Sequence, residues 1–304
     1  MRSLRRFATV LFAALALVAA ACGDDDSPVQ AGSDDPASDD PASSTTVYET
    51  SATVLESADH GPQLCLGGVA ESYPPQCGGP DIVGWDWSTV EAESASGTTW
   101  GTYSVTGTWD GETFTLTGPV EAPDFSERSD PPDFSTPCDE PEGGWAVVDE
   151  STATVEGQDA AIAYAQSQPE FAGLWVDQSI NPGAGELGMN DSAKLILNVR
   201  FTGDLDRHEA ELRARFGGSL CVSEAERTEA ELRSIQDEVF AELDGFYASA
   251  DIIRGVVEIG VIVADPAVQA DLDERYGEGV VELQGALRPT EGCRARPGAS
   301  PDGG

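Results

Sequence analysis

The chain has 304 residues and a formal charge of −39 at neutral pH, from 55 acidic against 16 basic side chains. That balance argues against nucleic acid as a partner, since phosphate binding needs clustered Lys and Arg, and against electrostatic adhesion to acidic lipid. The length leaves room for two folded domains.

Residues 1–21 read as an export signal. Arg2, Arg5 and Arg6 supply a positive start, and Phe7 to Ala21 is apolar apart from Thr9. That stretch is shorter than the roughly 20 residues a spanning helix needs. Ala19, Ala20 and Ala21 then precede Cys22 and the acidic run Asp24 to Asp26. The arrangement resembles a bacterial lipobox, with Ala19 standing where Leu is commoner. The resemblance implies cleavage before Cys22, a thioether-linked diacylglycerol on its sulfur, and a home on the extracytoplasmic face of the cell membrane. An ordinary signal peptide cut after Ala21 is the alternative. Residues 22–45 hold seven aspartates among small and polar residues. They cannot bury enough apolar surface to offset chain ordering, so they are expected to form a disordered acidic tether.

Residues 46–122 have β texture. Strands are predicted over 47–56, 63–70, 82–87, 98–109 and 113–120, and Asp110-Gly111 marks a hairpin between the last two. Five short strands suggest a small β-barrel-like domain, of which an OB-like barrel is one form. In "GWDW" (84–87), Trp85 and Trp87 fall on one face of a strand. They are either core or a stacking platform for a flat ligand such as a sugar. The stretch from "LCLGGVAESYPPQCGGP" (64–80) to "GWDW" resembles a module found in exported proteins and lipoproteins of high-GC Gram-positive bacteria. The resemblance implies no activity.

Residues 123–157 are a Pro-rich acidic connector, and an Ala-rich helix is expected at 158–168. Residues 158–290 then alternate strand and helix. Strands are predicted at 171–178, 193–202, 218–222, 255–264 and 280–287. Helices are predicted at 203–216, with Asp204 as N-cap, at 223–243, with capping boxes at Ser223…Glu226 and Thr228…Glu231, and from Asp265-Pro266 onward. The fold class is α+β: the N-terminal β domain followed by a two-layer α/β sandwich, with helices on one face of a mixed sheet. Residues 291–304 are expected to be a disordered tail.

The strings "GLWVDQ" (173–178), "LNVRFTGD" (197–204), "ARFGGSLCVSEAERTEAELRSIQ" (214–236) and "IIRGVVEIGV" (252–261) resemble the pro-region modules of α-lytic-protease-type secreted serine proteases. Such modules are small α/β domains that act as intramolecular chaperones and inhibitors. Few residues follow Leu287 and no protease domain is among them, so the expected role is a scaffold reused for binding.

With Cys22 lipidated, five cysteines remain. Cys65 with Cys77 is the first expected disulfide. Cys221 with Cys293 is the second, and Cys138 with Cys221 is the alternative. No cysteine–histidine spacing suits a structural zinc site. "GAGELG" (183–188) matches a dinucleotide fingerprint on paper, but it leads into a strand, not a helix. "DLDERYGEGVVE" (271–282) has Arg275 and Tyr276 where a calcium loop needs a ligand and a glycine. His60 and His208 both read as surface histidines with no nucleophile context. No catalytic residue, metal or cofactor is therefore assigned. The sequence reads as a non-enzymatic binding module with a membrane anchor and an exported-protein or envelope partner. A trans-acting inhibitor or folding helper of a secreted protease is one alternative. A small-ligand or glycan-binding lipoprotein is the other.

Overall fold

A computed structural model describes residues 46–125, 132–183 and 190–290. The export signal, Cys22, the tether, Gly185 and Gly188 of "GAGELG", Cys293 and the C-terminal tail lie outside the described residues.

The first sheet is built around two long strands, β1 (Val47–Glu56) and β5 (Thr98–Trp109), paired antiparallel from Val47↔Thr108 to Glu56↔Thr99. Their alternation sorts side chains onto two faces. Ala52, Val54, Tyr103 and Val105 face a core with Leu64, Ile82 and Phe114. Ser51, Thr53, Thr102 and Ser104 face the other way, and two cross-strand hydroxyl pairs link them, Ser51–Ser104 at 2.6 Å and Thr53–Thr102 at 3.1 Å. Short strands complete the sheet: β2 (Gln63–Cys65), β3 (Ile82–Val83), β4 (Glu93–Ala95) and β6 (Phe114–Leu116). The expected β5–β6 hairpin turns at Gly111, whose φ is +102°, and Asp110 Oδ1 accepts from the amides of Glu112 and Thr113.

This sheet does not close. Its strand order runs from β13 (Arg288–Pro289) through β1, β5 and β6 to β3, with β2 on β1 and β4 on β5. The barrel expectation is corrected to an open sheet, because strands of two or three residues end the pairing before the two sides can meet. The expected strand 82–87 is corrected too. Gly84 takes φ +87° and ends β3, and Trp87–Thr89 form one 3₁₀ turn capped by Asp86. The sheet's last strand comes from the far end of the chain, and Leu287, beside it, is buried in this first core.

Among the described residues, the rest of the chain is not one mixed sheet but two small ones. The first holds α1 (Val155–Gln166), β7 (Phe171–Asp177), β8 (Ile196–Phe201), α2 (Leu205–Arg213) and β9 (Ser219–Glu224). The second holds α3 (Glu229–Glu242), β10 (Tyr247–Asp251), β11 (Val256–Val261), α4 (Pro266–Tyr276) and β12 (Val281–Gly285). Both follow the order α-β-β-α-β. In each, the first strand is antiparallel to the central one and the third is parallel to it. The chain therefore contains an internal duplication of topology. β10 is not among the strands expected from the sequence. Without that strand the remaining five read as a single sheet.

The helices start where side-chain chemistry dictates, with one exception. Thr154 accepts from Gly157 N, Thr228 and Glu231 form a full capping box, and Asp265 precedes Pro266 in the first turn of α4. Asp204 holds the N-cap position of α2, but it is left-handed (φ 51°) and makes no side-chain cap bond. Ser223 belongs to β9, so the proposed box at Ser223…Glu226 starts no helix. Leu195, Leu197, Val199 and Phe201 pack against α1 and α2; Val257, Ile259 and Val281 pack against α3 and α4.

Among the described residues, two disulfides brace the structure. Cys65–Cys77, as expected, closes the loop after β2 with Cα atoms 5.8 Å apart. Cys221 is bonded to Cys138, Cα atoms 5.9 Å apart, and so is not available to Cys293. The reason is spatial. Residues 132–138 run beside the first small sheet, where Trp175 Nε1 donates to Phe134 O and Thr136 donates to Asp177 Oδ2. Closing the longer loop contributes about 4.5 kcal/mol by chain entropy and the shorter about 3 kcal/mol.

Candidate functional site

A cleft of about 660 Å³ opens on the hydroxyl-bearing face of β1 and β5. That volume lies within the range typical of ligand sites. Ser51, Thr53 and Thr102 of the two strands, Leu66 and Val69 of the Cys65–Cys77 loop, and Phe246 and Tyr247 line it. Gln284 of β12, Ala286 and Arg288 of β13 also border it. A smaller cavity of about 240 Å³ shares Thr50, Ser51, Asp124 and Arg288 with the cleft and adds Glu49 and Glu121. Its end is therefore mainly anionic.

Local packing fixes the aromatic wall. The rings of Phe246 and Tyr247 are 5.5 Å apart and tilted by 55°. Both lie over Gly260 on β11, where any side chain would collide with them. Phe246 also touches the disulfide loop, its Cβ 3.4 Å from where a side chain at Gly67 would begin. Burial, and secondarily the carboxylate of Glu258, push the Tyr247 phenol above its ordinary value. Val69, Phe125 and Tyr247 are each 39 % exposed and all line this one cleft. Large apolar side chains left accessible together mark interaction surfaces more often than single ones do.

Trp85 and Trp87 lie elsewhere. They pack on the core face of the first sheet, opposite the cleft, and are half-buried there. Their rings meet edge to face at 5.2 Å, and Trp85 also contacts Tyr103 at 5.0 Å. Trp87 Nε1 donates to Glu56 at 2.5 Å, whereas Trp85 Nε1 is buried with no acceptor. Nothing in the sequence marked the cleft. Its aromatic wall sits where the reading ended one helix and expected only a connection.

The two histidines differ. His60 is in a turn, with Nδ1 at 2.7 Å from Gly61 O. His208 is not a surface residue: it is 0 % exposed, its ring stacked on Phe201 with centroids 3.7 Å apart. Arg207 Nη2 lies 3.1 Å from Nε2, and Arg can only donate, so Nε2 is the acceptor. Nδ1 then carries the proton and donates to the Tyr164 hydroxyl at 3.0 Å. Burial first, then the charge of Arg207, hold the imidazole below its ordinary pKa, against weaker pulls from Glu170 and Asp204. His208 thus sits neutral in the first repeat, away from the cleft. The error came from its charged neighbours in sequence: the helix turns His208 inward while Arg207 and Glu209 stay at the surface.

Among the described residues, no group of His, Cys, Asp and Glu side chains is arranged to hold a metal ion, and no helix is long and apolar enough to cross a membrane. No family model matches the chain, and no curated protein matches it.

Proposed function

We propose that the protein is an extracytoplasmic lipoprotein, anchored through Cys22, whose folded part binds an exported protein or envelope component without chemistry of its own. The observation that carries the binding role is the cleft, where hydroxyls, a bordering guanidinium and carboxylates, and three accessible apolar side chains converge. The lipobox-like run ending at Cys22 supports the anchor, and the acidic stretch after it supports a tether that holds the domain off an anionic surface. The likeness of 169–290 to protease pro-regions supports a narrower variant, in which the bound partner is a secreted serine protease.

The experiment is native capture from membranes, with intact mass read on the same preparation. A mass increment of a diacylglycerol on the cleaved chain, and release into the medium by Cys22→Ser, is the expected anchor result. Partners retained by the wild type and lost by Tyr247→Asp are the expected binding result. A soluble, unlipidated chain, or partners indifferent to Tyr247, contradicts the corresponding half. A secreted serine protease among the retained partners selects the narrower variant.

A further inference from the structure

The cleft adjoins a strand edge that the rest of the molecule treats differently from every other. An open sheet edge is a row of unpaired backbone donors and acceptors, and proteins usually shorten or cover it. Among the described residues, the outer strands of the first sheet are two or three residues long. At β9, Arg213 of α2 donates to Gly218 O (2.8 Å) and Leu220 O (3.2 Å). At β12, Gln269 of α4 donates to Val281 O (2.7 Å) and accepts from Leu283 N (3.0 Å), mimicking a neighbouring strand. At β7 no residue is exposed, and residues 134–136 pack beside it. Among the described residues, the fourth such edge, β10, has only β11 as a strand partner, and no hydrogen bond covers its outer side. Its sequence, Tyr-Ala-Ser-Ala-Asp, has no proline and no lysine to prevent pairing.

Resting on the binding reading above, we infer that β10 is an open template for strand addition, and that its partner is an extended, net basic peptide segment placing one large apolar side chain against Tyr247 and Phe246. In this mode the backbone bonds give affinity and pockets for alternate side chains give specificity. Here the pocket is the cleft, continuous with the start of β10 at Tyr247. The basic character follows from charge. Asp244 precedes the strand, Asp251 ends it, Glu258 and Glu282 follow on β11 and β12, and Asp124 lines the cleft. These outnumber the cations there: Arg254, already bridging Glu258 (2.8 Å) and Glu282 (2.5 Å), Arg200, which donates to the β10–β11 turn, and Arg288 at the cleft. The same charge disfavours a second copy of the chain as the occupant, because each copy carries −39.

The test places the critical change on the probe, so the protein's folding is never at issue. The full-length chain is titrated with a short alternating Thr/Val peptide carrying one Phe and two Arg. It is then titrated with two versions N-methylated at odd or at even positions, and with one in which Glu replaces Arg. Only one edge of an added strand bonds to β10. One methylation parity is therefore expected to weaken binding by roughly tenfold or more, from two or three lost hydrogen bonds, while the other stays within about twofold. The Glu peptide is expected to bind more weakly than the Arg peptide, and hydrogen exchange to slow selectively at Tyr247–Asp251. Equal binding of the two parities, or no peptide binding, overturns the inference. So does a concentration-dependent dimer that slows exchange at β10. A neutral oligosaccharide that protects Thr53 and Thr102 while peptides do not also overturns strand addition, yet leaves a binding role for the cleft standing. A cleft that nothing fills removes both.

Discussion

The two α-β-β-α-β repeats share a topology and differ in what covers them. In the first, the sheet face away from the helices is buried: Asn198, Trp175 and Cys221 lie across it in one row, and Cys138 is bonded to it. In the second, the equivalent face carries Tyr247, Ser249, Glu258, Glu282 and Gln284, all partly or fully exposed. The repeats are also locked together. Gly173, at the β-bulge in β7, lets Ile252 of the β10–β11 turn approach closely, and Arg200 donates to Ile252 O and Ile253 O. One copy is therefore a braced scaffold and the other a presented surface. The difference shows that duplicated architecture alone does not place a binding surface. The covering of edges and faces does.

The largest test of this contrast is loss of the brace. Replacing Cys138 and Cys221 together by Ala is expected to destabilise the folded chain by up to about 4.5 kcal/mol. Denaturant unfolding would register it, with exchange rising first in β7–β9. Equal loosening of β10–β12 would break the comparison. Next, Gly260→Ala should cost about 1–3 kcal/mol by forcing the Phe246 and Tyr247 rings off β11. It should also abolish capture of whatever the cleft binds, which a stability change alone would not.

Gln269→Leu sharpens the comparison from the other side. It uncovers Val281 O and Leu283 N, costs about 1–2 kcal/mol, and gives the second repeat another open edge. Faster hydrogen exchange at Val281–Gly285, and protection of that strand by added extended basic peptides, is the expected new behaviour.

The first repeat also contributes a pH dependence. The folded state holds His208 below the 6.5 of a free imidazole, so between the two values the unfolded chain binds more protons. Stability from this site is complete above about pH 6.5 and is lost as pH falls through that window. His208→Phe, which keeps the stack on Phe201, should flatten the wild-type decline between pH 7.5 and 5; an unchanged slope would show that His208 is not the group responsible. The smallest effect is expected at Arg254→Met in the second repeat. Its ion pairs with Glu258 and Glu282 are half-exposed and contribute no more than about 1 kcal/mol.

Much of this architecture was legible wherever periodicity was strong. Leu195, Leu197, Val199 and Phe201 announced β8, the Thr228…Glu231 box marked the start of α3, and Asp265-Pro266 opened α4. The Asp110-Gly111 turn and the Cys65–Cys77 bridge were equally local. What escaped was non-local. β10 has Ala-Ser-Ala between Tyr247 and Asp251, and its strand state comes from pairing with β11, so neither apolar alternation nor β-branching marks it. The end of the first core depends on Leu287 and β13 returning to β1 across the whole chain. Arg213 and Gln269 look like ordinary helix surface until the strands they cover are known. The cleft follows from β10, from the Cys65–Cys77 loop and from the returning strand at once, so no single stretch could display it. Trp85 and Trp87 drew attention by type, yet they pack on the opposite face.

The most direct measurement is hydrogen exchange on the full-length chain with and without the partner captured from its own membranes. The account predicts protection confined to Tyr247–Asp251 and to Thr50–Thr53, with β7, β9 and the Trp85–Trp87 face unchanged. Protection centred on β7–β9 or on Trp85 and Trp87, with β10 exchanging as before, would contradict it.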